Sequence, residues 1–227
     1  MSANAERARL RVAVLASGRG SNLKALIEAR QRGLPIDLVL VAGDSASAPA
    51  LRLAEDTGIE TLALDPAGYA DRASFDADLF ARVAGYSPDL IVLAGFMRIL
   101  DAAAISPWIG RMINIHPSLL PKYRGLRTHE RALAAGDAVH GASVHFVTPE
   151  LDGGPVMAQV EIPIVAGETP AALAARLLPC EHRLLSTCVA LIAEGRIALD
   201  GEIVRHDGKA LAVPLKCGID GSFAPVA

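Results

Sequence analysis

Short apolar runs alternate with amphipathic stretches through the first half of the chain. Residues 12–16 are continuously apolar and lead into Ser17-Gly18-Arg19-Gly20-Ser21-Asn22, the pattern of a strand buried on both faces that runs into a turn. Helical spacing follows over 23–29 and ends near Gly33. A second strand is predicted at 36–42, a helix at 48–57 stopped by Gly58, and a short strand at 61–64. A further helix spans 74–83 with Ser74 as its N-cap, and strands follow at 90–94 and 112–115. Strands alternating with helices of about ten residues imply βαβ units, hence an α/β fold with a doubly wound, mostly parallel, Rossmann-like sheet.

Past Gly136 the rhythm changes. Two longer strands, 142–147 and 156–164, flank Thr148-Pro149-Glu150-Leu151-Asp152-Gly153-Gly154-Pro155. A long helix is predicted over 169–193, capped by Thr169 with Pro170 at its first position, and Pro179 inside it predicts a kink or a break. Asp207-Gly208 in the middle of 203–212 reads as the turn of a C-terminal β-hairpin extension. Residues 1–10 are polar and Ala-rich and are expected to be flexible, with 11–227 forming a single domain.

Composition narrows the class. Hydrophobic residues make up 52% and charged residues 21% of 227, enough for a sizeable core and too apolar for disorder. A net charge of -3 argues against nucleic acid or an acidic membrane surface as the main partner. No apolar run approaches the roughly 20 residues that span a bilayer, and the N-terminus lacks the apolar segment of a secretory signal. The three cysteines, Cys180, Cys188 and Cys217, form no CxxC and fit the reduced thiols of a cytoplasmic protein.

Three segments carry candidate chemistry. The glycine loop 17–22 stands between a buried strand and a helix, where backbone N–H groups and the helix dipole favour an anion such as a phosphate. It lacks the third glycine of a dinucleotide fingerprint, because position 23 is Leu, and the Gly-Lys-Ser/Thr of a P-loop. The same glycines would also serve a plain connecting turn. Asn114 and His116 lie at a strand's carboxyl end, where ligand sites of open α/β sheets form, and alternation puts both on one side. A lone strand-end His is more often structural; the Asn beside it and the following Pro-Ser-Leu-Leu-Pro loop favour function. Asp152 before two glycines is by composition a turn, but such a loop could bring a carboxylate to His116, raise its pKa and orient its ring. The six histidines (His116, His129, His140, His145, His182, His206) show no zinc spacing, so no metal is expected. Phe96 to Leu100 read first as core with a solvated Arg98, and Glu181-His182 as helix surface.

Taken together, the motifs resemble one family. Ser17-Gly18-Arg19-Gly20-Ser21-Asn22-Leu23, Leu93-Ala94-Gly95-Phe96-Met97-Arg98-Ile99-Leu100, Asn114-Ile115-His116-Pro117-Ser118-Leu119-Leu120-Pro121, and Gly141-Ala142-Ser143-Val144-His145-Phe146-Val147 through Asp152-Gly153-Gly154-Pro155 are similar, in order, to those of the folate-dependent glycinamide ribonucleotide transformylases, also called phosphoribosylglycinamide formyltransferases. The resemblance implies transfer of a formyl group from 10-formyltetrahydrofolate, as co-substrate, to glycinamide ribonucleotide in purine synthesis. It implies that Asn114, His116 and Asp152 are catalytic, and that Gly20, Ser21, Asn22 and Glu181 hold the ribonucleotide. It implies a folate pocket of Arg72, Met97, Arg98, Ile99, Leu100, Asn114, Thr148, Pro149, Glu150, Leu151 and Asp152. The first half would then bind the nucleotide phosphate and the second half the folate. Arg124 stands where family members often carry Pro, and Arg127 where some carry His. The enzyme would be a monomer or homodimer. A formyltetrahydrofolate hydrolase is the nearest rival, yet the glycine loop begins at Ser17 and leaves no room for its N-terminal regulatory domain. A methionyl-tRNA formyltransferase would need a longer, basic C-terminal part. A non-catalytic nucleotide-binding module has no use for all of Asn114, His116 and Asp152.

Overall fold

The computed structural model describes residues 9–223. Residues 1–8 of the stretch expected to be flexible lie outside the described residues, and Leu10 of that stretch already opens the first strand. In chain order the elements are β1 (Leu10–Leu15), α1 (Ser21–Gln31), β2 (Ile36–Gly43), α2 (Pro49–Asp56), β3 (Thr61–Ala63), α3 (Arg72–Gly85), β4 (Leu90–Leu93), α4 (Ala102–Ile105), β5 (Met112–His116), α5 (Thr128–Ala134), β6 (Val139–Phe146), β7 (Val156–Pro163), α6 (Pro170–Ala193), β8 (Ile197–Asp200), β9 (Ile203–His206), β10 (Lys209–Ala210) and β11 (Leu215–Cys217).

Eight strands form one sheet in the order β11-β7-β6-β5-β4-β1-β2-β3. Pairing is parallel throughout β5-β4-β1-β2-β3 and antiparallel at β5-β6 and β6-β7. The chain winds from β1 outward to β2 and β3, then returns to place β4 on the other side of β1. That reversal is where doubly wound sheets open a ligand crevice at the strands' carboxyl ends. Alternation along β1 feeds both faces: Val12 and Val14 pack with Leu23, Leu26 and Leu184, whereas Ala13 and Leu15 pack with Phe75, Leu79 and Trp108. Both faces are covered, so β1 from Val12 onward and β4 are apolar without interruption.

The structure departs from the pattern in several places. Ser74 is not the N-cap of α3. Asp71 caps it, accepting from the Ser74 N–H at 2.8 Å, while the Ser74 hydroxyl faces the Asp71 amide in a reciprocal capping box. The hairpin at 203–212 exists, but β8 extends it to a three-stranded antiparallel sheet, and β11 returns to the edge of the main sheet. α4 and α5 carried no periodic signal because each spans barely one or two turns. The break expected at Pro179 is absent: α6 continues for 24 residues. A proline within a helix costs about 3 kcal/mol, and burial of apolar side chains on both sides of it offsets this. Leu173 and Leu177 precede Pro179, and Leu184, Leu185 and Cys188 follow, all with no exposure.

α6 starts where the Thr169 hydroxyl accepts the Ala172 N–H at 3.2 Å. Thr169→Ala leaves that donor unpaired and should lower stability by about 1 kcal/mol, read in urea unfolding as a lower midpoint at unchanged slope.

Candidate active site

β4 and β5 are adjacent and parallel, and their carboxyl ends border a cavity of about 470 Å³. On β5, Asn114 is half-buried and His116 buried. β6 runs antiparallel beside β5 and sets His145 opposite Asn114. The β6–β7 loop supplies the remaining wall, and at its turn Asp152 adopts a left-handed backbone with φ 47°, which Asp tolerates better than most residues. Gly154 lets this loop lie on β6, since a Cβ there would fall 1.9 Å from the Phe146 carbonyl oxygen.

The three residues singled out as catalytic do converge. Asp152 Oδ2 accepts the Gly125 N–H at 2.8 Å and lies 3.5 Å from His116 Nδ1. Its Oδ1 is 3.4 Å from Asn114 Nδ2 and 3.7 Å from His145 Nε2. His116 Nε2 donates to the Tyr123 carbonyl at 3.0 Å; a carbonyl only accepts, so this nitrogen carries a hydrogen and Nδ1 faces Asp152. By the same logic His145 Nδ1 donates to the Phe146 carbonyl at 2.9 Å, and its Nε2 accepts from Asn114 Nδ2 at 3.2 Å. His145 thus orients the Asn114 amide. The sequence reading gave it no role, because only strand pairing brings it opposite Asn114.

Burial and charge oppose each other here. Burial pushes the His116 imidazole below its ordinary 6.5, and the Tyr123 carbonyl and Asp152 push it up by less. The expected upward shift is therefore corrected: the carboxylate acts in that direction, but desolvation of the imidazolium wins. Burial also works to raise Asp152, yet the neighbouring His145, the hydrogen bond from the Gly125 N–H and the His116 charge hold it below the usual carboxylate range. At neutral pH the pair is a neutral imidazole beside an ionised carboxylate.

Met97, Arg98, Ile99 and Leu100 line the cavity on one side, and Thr148, Pro149, Glu150 and Leu151 on the other. Arg72, expected with them, stands at the first position of α3 and is outside the lining. Leu126, Arg127 and His129, from the loop after β5 and the start of α5, complete the wall and were missed as pocket residues. Met97, Ile99, Leu126 and Leu151 are 48–75% exposed, an apolar rim suited to a flat aromatic ligand. Arg124 pairs with Glu150 and joins the two loops across the rim.

The glycine loop is closely packed against α2. Gly20 sits at φ 76° with its Cα against Ala50, where a Cβ would come within 2.9 Å of the Ala50 side chain. α1 begins at Ser21, two residues earlier than its apolar spacing suggests, and has no side-chain cap and no acidic residue in its first turn. Its leading N–H groups are therefore open to an anion. Ser17 Oγ accepts the Met97 N–H at 3.0 Å, which joins this loop to the cavity wall. Glu181, which the sequence alone puts on the helix surface and the resemblance puts against the ribonucleotide, is buried on α6 and bonds to the Asn22 side chain, whose Oδ1 has no partner among the described residues. Burial pushes the Glu181 carboxyl up to about 7, against a smaller lowering from Asn22.

With this geometry in place, similarity to known proteins is informative. Residues 10–189 match the formyl transferase family. The chain belongs to this family. It is 42% identical over 203 residues to the phosphoribosylglycinamide formyltransferase of Escherichia coli (strain K12), covering 89% of this chain and 96% of that protein. Its fold superposes on the phosphoribosylglycinamide formyltransferase of Coxiella burnetii with a TM-score of 0.87 and 45% identity, over 90% of this chain and 96% of that one. The glycinamide ribonucleotide transformylase 1 of Symbiobacterium toebii gives 0.86 and 38%, over 91% and 98%. Among the described residues of this formyl transferase, no helix is long and apolar enough to cross a membrane.

The raised Glu181 carboxyl has a consequence for stability. The folded state keeps this proton up to about pH 7, while the unfolded chain releases it near 4.5, so the group costs stability as pH rises through that window. Glu181→Gln should match the wild type below pH 4.5 and exceed it by about 3 kcal/mol at pH 8, measured by urea unfolding of the ligand-free protein at both pH values.

Proposed function

We infer that this formyl transferase moves the formyl group of 10-formyltetrahydrofolate to the amine of 5-phosphoribosylglycinamide, giving formylglycinamide ribonucleotide and tetrahydrofolate in purine biosynthesis. The observation that carries the reading is the convergence of Asn114, His116 and Asp152 at one of two surfaces that the Ser17–Met97 hydrogen bond joins. One is the apolar-rimmed cavity, which suits the pterin and aromatic ring of the folate. The other is the uncapped head of α1 at Gly20, Ser21 and Asn22, which suits a phosphate. Glu181, beside Asn22, faces the same end and would contact the ribonucleotide. Residues 11–227 would act as one formyltransferase domain, in the cytoplasm, where three buried free thiols persist.

The chemistry follows from the hydrogen positions. The amine nitrogen bonds to the formyl carbon, and the carbonyl oxygen takes up charge. Asn114 Nδ2 meets that oxygen by exchanging its 3.4 Å contact to Asp152, the longer of its two bonds, while His145 keeps the amide oriented. Removal of one such donor typically costs about 10²–10³ in rate. His116 Nδ1, neutral at rest, accepts the proton released by the attacking amine, and the imidazolium is stabilised between Asp152 and the Tyr123 carbonyl. His116 then returns a proton to the folate nitrogen as its bond to the formyl carbon breaks. Such proton transfer is worth about 10²–10⁴-fold, and holding both substrates in one cleft supplies the proximity.

Steady-state assays with 10-formyltetrahydrofolate, with and without the ribonucleotide, test the reading. Turnover should require the ribonucleotide, and His116→Ala should lower it by about 10²–10⁴-fold. Turnover in its absence would make water the acceptor and the protein a hydrolase; none in either case would remove the assignment. The acid limb of kcat/KM should fall below pH 6.5, because the base form of His116 persists to lower pH than in free imidazole side chains. Asp152→Asn should depress kcat by about 10²-fold with KM values nearly unchanged, and an equal loss in affinity would count against a role confined to the imidazole.

A further inference from the structure

The folate end of the cavity is backed by a group that no step above uses. Asp76, on the inward face of α3, has no exposure. Its Oδ2 accepts the Asp101 N–H at 2.7 Å, and its Oδ1 is buried with no partner. Arg98, three residues before Asp101, lines the cavity; its guanidinium stacks 4.6 Å from the centre of the Phe75 ring, and its Nε is likewise buried with no partner. Burial pushes the Asp76 carboxyl above its ordinary range, and the Asp101 N–H and the charges of Arg98 and Arg72 act against that rise, while the Asp101 charge adds to it.

Burial of a carboxylate is expensive, and acceptance of a single N–H does not justify it, since a neutral Asn or Ser would accept as well. What a carboxylate adds is charge. The Arg98 guanidinium, which stacks on the ring of Phe75 next to Asp76 in the chain, is one of the two arginine charges that reach it. We propose that Asp76 is a positioning residue for the co-substrate: it pins the 97–101 wall through the Asp101 amide and sets the Arg98 guanidinium by charge, ready for a carboxylate of the folate's glutamyl tail. This rests on the formyl-folate reading above. An arginine held in place before binding loses less rotamer freedom when an anion arrives, which lowers KM without touching the chemical step.

Asp76→Asn keeps the shape and an acceptor for Asp101 but removes the charge. It should raise KM for 10-formyltetrahydrofolate about fivefold, the difference between a charged and a neutral partner, and leave kcat and the KM for the ribonucleotide unchanged. With a 10-formyl co-substrate that ends at the benzoate and lacks the glutamate, the variant should match the wild type. In an Arg98→Ala background, Asp76→Asn should add no further loss. An equal rise in KM for both co-substrate forms, a rise in KM for the ribonucleotide, full additivity with Arg98→Ala, no change in any KM, or a variant that does not fold would each assign Asp76 to the fold alone and overturn the proposal. Wild-type protein that transfers no formyl group overturns the functional reading instead, so the two failures are distinguishable.

Discussion

The Asp152 carboxylate is the contact on which the site depends. One side chain, from a loop between two antiparallel strands, meets three side chains and one backbone amide that come from elsewhere in the chain. Its Oδ2 takes the Gly125 amide and faces His116, and its Oδ1 faces Asn114 and His145. The loop after β5, the end of β5 and the end of β6 are all referred to that carboxylate. Its position in turn requires the left-handed backbone at Asp152 and the absence of a side chain at Gly154, where the loop presses on β6. Cavity wall and catalytic geometry are thus two outcomes of one constraint.

Burial decides the protonation states more than charge does. His116 lies beside a carboxylate and still has a lowered pKa, because transfer of an imidazolium out of water outweighs the attraction. Glu181 holds its proton to about pH 7 for the same reason. Asp152 escapes this trend only because several donors converge on it. A neutral base beside an ionised carboxylate is the state needed to accept a proton from an amine. The apo protein carries the associated desolvation cost before any substrate binds, which is the usual relation between stability and a prepared active site.

Much of this was legible beforehand. The βαβ rhythm predicted the doubly wound sheet because strands covered on both faces must be continuously apolar, as in 12–16 and 90–94. Asn114 and His116 were legible as a pair, since alternation along one strand puts them on one side whatever the neighbours are. The glycine loop was legible as a turn between a buried strand and a helix, and the order of the motifs pointed to the family. Short elements such as α4, α5 and β11 left no trace, because a turn or two of helix or three strand residues carry too few positions for a period. The N-cap of α3 was misplaced by three residues because Asp71 and Ser74 are both good caps, and only the backbone distinguishes them.

What the sequence by itself determined is everything set by local sterics and periodicity: which segments are strands, where turns must admit glycine, and which side chains share a strand face. What only the tertiary structure decided is everything set by distance and solvent exclusion. Strand pairing put His145 opposite Asn114, the β6–β7 loop delivered Asp152 to His116, and packing of α6 against α1 buried Glu181 beside Asn22. The physical reason is the same in each case. Electrostatic energies depend on separation and on how much water remains between the groups, and neither quantity is a function of position along the chain.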